Sequence, residues 1–321
     1  MTLPIVAIIA PGSMGAAVGR RLTAAGLTVL TNLEGRSSAS RTRAHDAGLE
    51  DTPYNDIASR ADWVLSILPP GEALNFAEAF RDIHAATAPN RRLTFADCNA
   101  VNPETVKNIS SLFTGSHIKF IDAGIIGGPP DGDYNPTFYA SSAPDDEQEL
   151  DAFVALSNYG LKIKALKGEG ANVGDASALK MSYAGIAKGL IGIYSTMILA
   201  AHASSPATSQ ALLQELSLSQ PYIVQHLIRG IPSMLPKAYR WVAEMEEISQ
   251  FVGHGLASTR GSTATGEDSS PDNEGHVHYG FARLYEHVAR SLEKSADGAD
   301  AGEVKVLKEF VEQAKTIELK K

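Results

Sequence analysis

Cysteine is almost absent from this chain of 321 residues, in which Cys98 is the only thiol. A lone cysteine cannot form an intrachain disulfide, and its scarcity is typical of a reducing compartment, so we expect a cytoplasmic protein. Positive charge is also in deficit, because 28 lysine and arginine residues face 37 aspartate and glutamate residues, for a net charge of −9. This balance argues against binding to nucleic acid or to an anionic membrane surface.

Uninterrupted apolar runs are short as well. Charged residues divide them, so we expect no helix that spans a membrane. The apolar stretch at 3–9 has no basic segment before it and leads directly into a glycine turn, which favours a buried strand over a signal peptide. The composition, with 44% hydrophobic and 20% charged residues, is that of an ordinary globular protein, and the length allows two domains with separate cores.

In the first half of the chain, apolar runs alternate with helical patterns, as in βαβ units whose parallel sheet is covered on both faces. The predicted strands are 3–10, 28–33, 63–68, 93–96 and 118–122, with further short elements at 137–141 and 161–166. The predicted helices of this half are 13–25, 37–47, 71–86 and 103–112.

Beyond residue 168 the pattern becomes helical, and residues 174–202 predict one long apolar helix. We therefore place a first domain at 1–168 and a helical second domain at 169–321. The polar stretch 261–275 predicts a solvated loop, because it is rich in Gly, Ser, Thr, Asp and Pro. Residues 303–321 have the apolar spacing of a surface helix.

A glycine turn at 10–15 lies between the first predicted strand and the first predicted helix, which is the order found in dinucleotide-binding folds. A helix N-terminus offers unpaired N–H groups to a pyrophosphate, and glycine removes side chains that would keep the phosphates away. Ala10 stands where the first glycine is usual, so a plain loop turn is the alternative. The residues assigned to cofactor binding here are Gly12, Ser13, Met14 and Gly15.

The residues after the second predicted strand bear on which dinucleotide binds. Glu34 lies about twenty positions beyond the glycine turn, where a carboxylate would accept hydrogen bonds from the ribose 2′-hydroxyl of NAD. Arg36 and Ser37 follow at a helix N-terminus, and a 2′-phosphate needs such a fixed cation and hydroxyl donor. The alternative is that Ser37 and Ser38 only cap the helix and that the arginines are solvated. We expect NADP(H) in preference to NAD(H).

Four stretches occur in a recognisable order: the turn at 12–15, a strand end at 66–70, the sequence DAGIIGG at 122–128, and residues 168–180, which lead into the long helix. Together they resemble the β-hydroxyacid dehydrogenase superfamily, which includes 3-hydroxyisobutyrate dehydrogenase and 6-phosphogluconate dehydrogenase. The runs at 97–103 and 239–247 look like a branch of that superfamily similar to phosphogluconate dehydrogenase.

The resemblance implies an α/β fold, with an N-terminal Rossmann doubly wound sheet, a long interdomain helix and an all-α C-terminal domain. It implies that residues 1–168 bind NAD(P) and that residues 169–321 serve substrate binding and dimerisation, commonly in a homodimer. The residues that it further assigns to the cofactor are Leu68, Pro69 and Asn99.

The resemblance also implies that a small hydroxyacid, or a related alcohol or carbonyl compound, exchanges a hydride with the cofactor while a lysine of the long helix handles the hydroxyl proton. The matching residue is Lys180. It is the only charged residue between Asp175 and Lys188 in an apolar helix, where an unpaired buried charge would be costly. The alternative is a lysine whose stem is buried and whose ammonium reaches solvent.

Tyr183 is a second catalytic candidate, because it lies three residues after Lys180 on the same helical face and could hydrogen-bond the substrate oxygen. The superfamily usually has asparagine at positions 183 and 184, so the resemblance does not establish how the substrate is oriented here. Arg240 is a candidate for contact with a substrate or cofactor anion. An i,i+4 salt bridge with Glu244 is the alternative.

Gly127 and Gly128 are candidates for substrate binding, because a tight turn presents backbone N–H groups. The hydroxyacid members carry a serine just before this glycine pair, helping to hold the substrate carboxylate, whereas Ile126 stands here. An apolar residue cannot replace that hydroxyl, which favours a less polar or differently anchored substrate. A plain turn after a strand is the alternative.

Two other functions stay open. One is an imine reductase on the same scaffold, although the lysine position is commonly replaced there; the other is a catalytically silent dinucleotide-binding regulator. The histidines at 276 and 278 could bind a metal with Asp272 or Glu274, but a histidine pair beside a polar loop is a weak pattern, and we predict no metal. Cys98 has no adjacent histidine, so a nucleophilic role is not expected.

Overall fold

The computed structural model of the protein describes residues 3–259, 276–296 and 302–319. The chain divides into two compact units, residues 1–181 and 182–321. The predicted loop at 261–275 lies outside the described residues.

The first unit is built on an eight-stranded sheet with the order β3-β2-β1-β4-β5-β6-β7-β8. Its strands are β1 (Val6–Ile9), β2 (Val29–Thr31), β3 (Glu50–Asp51), β4 (Trp63–Ser66), β5 (Leu93–Asp97), β6 (Ile118–Ile126), β7 (Thr137–Ser141) and β8 (Lys162–Ala165). All neighbouring strands are parallel except β6 and β7, which are antiparallel. The carboxyl ends of β1, β4 and β5 therefore meet at one edge, beside the reversal of strand order where such sheets bind ligands.

Six helices connect these strands, and a seventh begins in this unit. They are α1 (Ser13–Ala24), α2 (Ser38–Asp46), α3 (Tyr54–Arg60), α4 (Ala73–Thr87), α5 (Pro103–Leu112), α6 (Glu147–Val154) and α7 (Asp175–Ser204). The predicted α/β class and its doubly wound sheet are confirmed. The sequence did not predict β3, α3 or α6, because β3 is two exposed acidic residues and the two helices are only seven and eight residues long.

Alternate residues of the central strands enter two separate cores, one on each face of the sheet. Val6 and Ile8 of β1 face one core, whereas Ala7 and Ile9 face the other, and all four are buried. The second core holds a cluster of phenylalanines in which Phe95 of β5 lies 5.0 Å from Phe113 and 6.3 Å from Phe120 between ring centroids. Burial of both faces is why these strands read as continuous apolar runs.

In its described residues the second unit is entirely helical. Besides the remainder of α7 it contains α8 (Pro206–Ser219), α9 (Pro221–Met234), α10 (Ala238–Thr259), α11 (His276–Ala296) and α12 (Gly302–Glu318). The predicted long helix at 174–202 corresponds to α7 and is confirmed.

A largely buried ion pair and a neighbouring hydrogen bond join three helices of the second unit. Lys188 of α7 pairs with Glu244 of α10, and only 13% and 17% of their side chains are exposed. The Lys188 ammonium also lies 5.4 Å from the centroid of the Trp241 ring, a cation–π distance. Tyr285 of α11 donates from its hydroxyl to the Lys188 carbonyl at 2.5 Å. Glu244 therefore pairs with Lys188 of α7, and Arg240, one turn before it on α10, is exposed.

By length and composition, α7 is the one helix in the described ranges that is long and apolar enough to cross a membrane. Its most apolar window has a mean hydropathy of 1.5, and 33% of that window is buried. The expectation that charged residues divide every such run is wrong here, because no Asp, Glu, Lys or Arg lies between Lys188 and Glu215. A core helix passes the same test, so this is weak evidence for a membrane span.

Candidate functional site

The glycine turn after β1 contains one residue in a strained conformation. Ala10, at the usual position of the first glycine, has φ of 64°, in the left-handed region that favours glycine. Its carbonyl accepts a hydrogen bond from Gly12 N at 2.8 Å, which closes the turn immediately before α1. The structure therefore keeps the backbone path of a dinucleotide-binding turn although the first glycine is replaced.

Gly12 and Gly15 have different local roles. A Cβ at Gly15 would lie 2.5 Å from the Ala10 carbonyl oxygen, so this glycine is required for the close packing of α1 on β1. A Cβ at Gly12 would meet nothing within 4 Å, and no side chain caps α1 there. Open space above uncapped helix N–H groups fits the pyrophosphate of a dinucleotide. Ser13 is exposed and Met14 is half-buried in the first turn of the same helix.

The predicted 2′-phosphate residues lie at the start of α2. Ser37 caps that helix by accepting a hydrogen bond from Ser40 N at 3.3 Å, and its role toward a 2′-phosphate stays a prediction. Arg36 is half-buried beside Tyr54, whose pKa is raised by burial and lowered in part by the charge of Arg36. Arg43 reaches back to the Pro11 carbonyl at 3.4 Å. A fixed cation thus stands at this position, although Glu34 is close enough to act on Tyr54 as well.

Asn99, just beyond the end of β5, connects three parts of the site. Its side-chain oxygen accepts from Leu68 N at 2.5 Å, and its amide donates to Ser66 Oγ at 3.0 Å and to Asp97 Oδ2 at 3.0 Å. The side chain is buried, so it holds the loop after β4 instead of pointing into solvent. Leu68 is buried next to this contact, and Pro69 is exposed beyond it.

Lys180 lies against the same loop. Its Nζ donates to the Asn99 carbonyl at 3.1 Å, and the side chain is half-buried. Asn99 therefore contacts Leu68 through its side chain and Lys180 through its main chain. The structure brings these three predicted site residues together within the first unit.

The start of α7, which carries Lys180, is held by Asp122 of β6. One carboxylate oxygen, Oδ2, accepts from Gly174 N at 3.0 Å, from Ser177 N at 3.1 Å and from Ser141 Oγ at 3.0 Å, and Oδ1 accepts from Ser177 Oγ at 2.7 Å. A carboxylate at a helix N-terminus satisfies N–H groups that have no partner within the helix. Asp122 thus fixes the first turn of α7.

Gly124 allows α7 to approach β6 closely. A Cβ at Gly124 would lie 2.8 Å from the Ala176 carbonyl oxygen and 3.1 Å from the Cβ of Lys180. Any side chain at this position would push the first turns of α7 outward. Asp122 and Gly124 together set the place from which the Lys180 side chain extends.

Asp97 and Asp122 occupy paired positions on β5 and β6 and are both buried. Burial raises the pKa of Asp97 to about 6, against the lowering effects of its hydrogen bonds from Asn99 and of the Lys180 charge, and with a further increase from Asp122. Burial also raises the pKa of Asp122, and the hydrogen bonds from Ser177, Ser141 and Gly174 oppose that increase. The charge of Lys180 therefore interacts favourably with the Asp97 carboxylate. Burial raises the pKa of the Cys98 thiol too, consistent with no nucleophilic role.

The glycine pair follows the end of β6. Gly127 has φ of 132°, and both glycines are exposed. Gly128 N donates to the hydroxyl of Tyr134 at 3.0 Å. The N–H group that the sequence assigns to substrate therefore has a partner from the same loop.

Tyr183 and Arg240 belong to the second unit. Tyr183 is 57% exposed on α7. Arg240 is exposed on α10, directly before Trp241, whose ring lies 5.1 Å from that of Tyr285 of α11 between centroids. Within the described residues there is no group of three or more metal-ligating side chains, and Asp272 and Glu274 lie outside them.

Sequence reasoning missed Asp97, Asp122, Gly124 and Tyr134. For the two aspartates a signal was available, because Asp97 directly follows the predicted strand 93–96 and Asp122 ends the predicted strand 118–122, where polar side chains of a parallel sheet meet. Gly124 and Tyr134 had no comparable signal, since their roles depend on tertiary contacts.

Two known domain families and several known structures are similar to this chain. Residues 5–163 match the NAD binding domain of 6-phosphogluconate dehydrogenase, and residues 203–288 match a domain of unknown function, DUF1932. A conserved protein of unknown function, described as structurally similar to 3-hydroxyacid dehydrogenases, shares 28% sequence identity with a TM-score of 0.60, over 88% of this chain and 98% of that chain.

Two more distant structures share the fold. The 3-hydroxyisobutyrate dehydrogenase of Mycobacterium tuberculosis has 16% identity and a TM-score of 0.61, over 96% of this chain and 99% of that chain. An imine reductase variant from Myxococcus stipitatus, solved with NAD⁺, has 16% identity and a TM-score of 0.53, over 97% of this chain and 100% of that chain.

The fold and the glycine turn define an α/β dinucleotide-binding protein with a helical second unit. The two matched domains and the structural relatives go further, because together they support the β-hydroxyacid dehydrogenase superfamily. The family predicted from the order of the sequence motifs is thereby confirmed. The roles of the individual site residues stay predictions.

Alanine substitutions at the two glycines of the turn should separate cofactor contact from folding. Gly12→Ala has room in the protein, so we expect stability within about 0.5 kcal/mol of the parent, with weaker binding of NADPH and NADH because the methyl group enters the phosphate space. Gly15→Ala should lose about 1–3 kcal/mol of stability through overpacking, and cofactor affinity as well.

Thermal unfolding and fluorescence titration with each dinucleotide measure the two effects. Gly280→Ala is the matched control, because a Cβ there also meets nothing within 4 Å and the residue lies on α11. Parent-like cofactor affinity in Gly12→Ala would contradict the assignment of this turn.

Proposed function

We propose that the protein is an NADP(H)-dependent oxidoreductase that interconverts a small hydroxyacid, or a related secondary alcohol, and its carbonyl compound, with Lys180 as general acid and base. The observation that carries the proposal is the contact of Lys180 Nζ with the Asn99 carbonyl at 3.1 Å. Through Asn99, the ammonium is tied to the loop after β4 at the ligand-binding edge of the sheet.

The residues of the first unit fit a dinucleotide. Gly12 and the N–H groups at the start of α1 would hold the pyrophosphate, and Arg36 with the start of α2 would hold a 2′-phosphate. Leu68 and Pro69 would line the cofactor beyond β4. A bound nicotinamide supplies or accepts the hydride, which no side chain can do.

Lys180 supplies the proton chemistry. In the reducing direction its ammonium donates a proton to the substrate carbonyl oxygen as that oxygen gains negative charge; in the oxidising direction the neutral amine accepts the hydroxyl proton. In the reducing direction the ammonium is first oriented by the Asn99 carbonyl and attracted by the buried Asp97 carboxylate. Partial burial strengthens these interactions because the surroundings screen them less than water does.

Replacing Lys180 tests this assignment. We expect Lys180→Ala to reduce kcat by about 10²–10⁴-fold, the usual contribution of a positioned acid or base, while NADPH affinity stays near that of the parent. Steady-state assays with NADP(H) on hydroxyacids, alcohols, carbonyl compounds and imines give kcat, and dinucleotide titration gives the affinity. Ethylamine added to Lys180→Ala should restore part of the lost rate, because it returns an amine to the vacated space.

Lys107→Ala is the control for that experiment, because Lys107 is an exposed lysine paired with Glu104 on α5. Unchanged turnover in Lys180→Ala would remove the proton-transfer role. A parent that turns over imines alone would favour the imine reductase, and a parent that binds NADPH but turns over nothing would favour the silent regulator.

Arg36 carries the cofactor preference. Arg36→Leu removes the half-buried guanidinium, so we expect NADPH affinity to fall about 10–100-fold, as for loss of a charged hydrogen bond of about 1.5–3 kcal/mol. NADH affinity should change little. Titration of both dinucleotides, with Arg20→Leu as an exposed arginine control on α1, measures the ratio. An equal loss for NADPH and NADH would contradict the assignment to the 2′-phosphate.

The homodimer belongs to the same proposal, and one surface supports it. Large apolar residues are exposed along one side of α7 at spacings of three and four, namely Tyr183, Ile186, Leu190, Ile193 and Met197. Such spacing is that of a helix seam buried against another helix. A second copy of the chain fits this seam, because the same stripe on its own α7 would supply a matching apolar surface.

Ile186 is 68% exposed, so Ile186→Glu should leave the folded chain intact but place a charge in the dimer seam. We expect the parent to sediment as a dimer and Ile186→Glu as a monomer in analytical ultracentrifugation. Leu218→Glu, at a position 80% exposed on α8, is the control and should stay dimeric. A monomeric parent would overturn this part of the proposal.

A further inference from the structure

Tyr134 lies over the glycine pair at the end of β6. A Cβ at Gly127 would meet its hydroxyl oxygen at 2.4 Å, and Gly128 N donates to that oxygen at 3.0 Å. The N–H group of Gly128 is therefore occupied by a phenol from the same loop. A phenol that accepts one hydrogen bond still has its own proton to donate.

The loop fixes where this phenol lies. Asp131 and Tyr134 exchange two main-chain hydrogen bonds, of 3.0 Å and 2.8 Å. Arg21 of α1 donates to the carbonyls of Gly132 and Tyr134, at 2.6 Å and 3.0 Å. The backbone of Tyr134 is thus held on both sides, while its ring is 51% exposed and turned back to the glycine pair.

The glycine pair lies within reach of a small substrate held at Lys180. Gly124 of β6 packs against Lys180, and Gly127 follows three residues later, which is about 10 Å further along an extended strand. A molecule of a few carbon atoms can extend over that distance together with the lysine side chain. The end of such a substrate remote from Lys180 would lie at the turn.

The chemistry at the turn suits a neutral acceptor and not a carboxylate. A carboxylate binds best to two or more donors, but Gly128 N is already engaged and Ile126 offers no hydroxyl. Asp131 and Asp133 precede Tyr134 in the same loop and are exposed, so their charges disfavour a substrate anion there. Arg21 of α1, the cation that contacts this loop, donates its hydrogen bonds to main-chain carbonyls of the loop.

From these contacts we infer that Tyr134 determines substrate class: its hydroxyl replaces the serine hydroxyl absent at Ile126 and donates to an uncharged group, such as an ester or amide carbonyl or a hydroxyl, at the end of the substrate remote from Lys180. The inference rests on the proposed function and narrows it. The hydroxyacid named above becomes a neutral derivative of one.

The test compares 3-hydroxybutanoate with its methyl ester, which differ in charge at that end of the molecule. Binding of each to the NADPH-loaded protein is measured by calorimetry, and kcat/KM for each is measured with NADP⁺. We expect the parent to prefer the ester. Tyr134→Phe keeps the ring but removes the hydroxyl and frees Gly128 N, so the preference should shift toward the acid by about tenfold, the loss expected for one hydrogen bond, mainly through KM.

Tyr222→Phe is the control, since Tyr222 is 83% exposed on α9. Ile126→Ser is a second variant that adds a hydroxyl beside the turn and should shift the preference in the same direction. A parent that prefers the acid, or a preference unchanged in Tyr134→Phe and Ile126→Ser, would overturn the inference. The expected binding preferences without turnover would support it and would overturn the oxidoreductase proposal instead.

Discussion

The site depends on hydrogen bonding to two carboxylates that are buried side by side. Asp97 and Asp122 occupy paired positions on β5 and β6, and a buried charge is costly unless donors surround it. The donors come from Asn99 for one carboxylate and from the start of α7 for the other. Satisfying these two groups therefore dictates where the loop after β5 and the first turn of α7 lie, and with them Lys180.

Asn99 makes this requirement relevant to function. The Asn99 side chain accepts a hydrogen bond from Leu68 N and its carbonyl accepts one from Lys180, so the loop after β4 and the proposed acid–base residue are tied to one residue. Because one residue makes both contacts, a movement of the Leu68 backbone also displaces the carbonyl that Lys180 contacts. A buried network in which every member is paired also specifies a single arrangement, which a reaction needing accurate alignment requires.

Much of the fold was predictable from local patterns. The buried strands, the glycine turn and α7 carry strong periodic or positional signals, and Lys180 is conspicuous as a charge in an apolar helix. The two-residue β3 could not be found, because its residues, Glu50 and Asp51, are exposed and acidic and carry no apolar pattern. The direction of the Asn99 side chain and the role of Tyr134 depend on contacts between loops that are brought together only when the sheet closes, so no local pattern encodes them.

Ala10 has one more consequence. Alanine has fewer accessible backbone conformations than glycine in the folded turn as well as in the unfolded chain, so an alanine held at φ of 64° leaves the turn less freedom than a glycine in the same place would. The entropy of ordering the N–H groups at the start of α1 is thus lost when the protein folds and not when a nucleotide arrives. A rigid loop of this kind favours rapid capture of its ligand over adaptation to ligands of different shape.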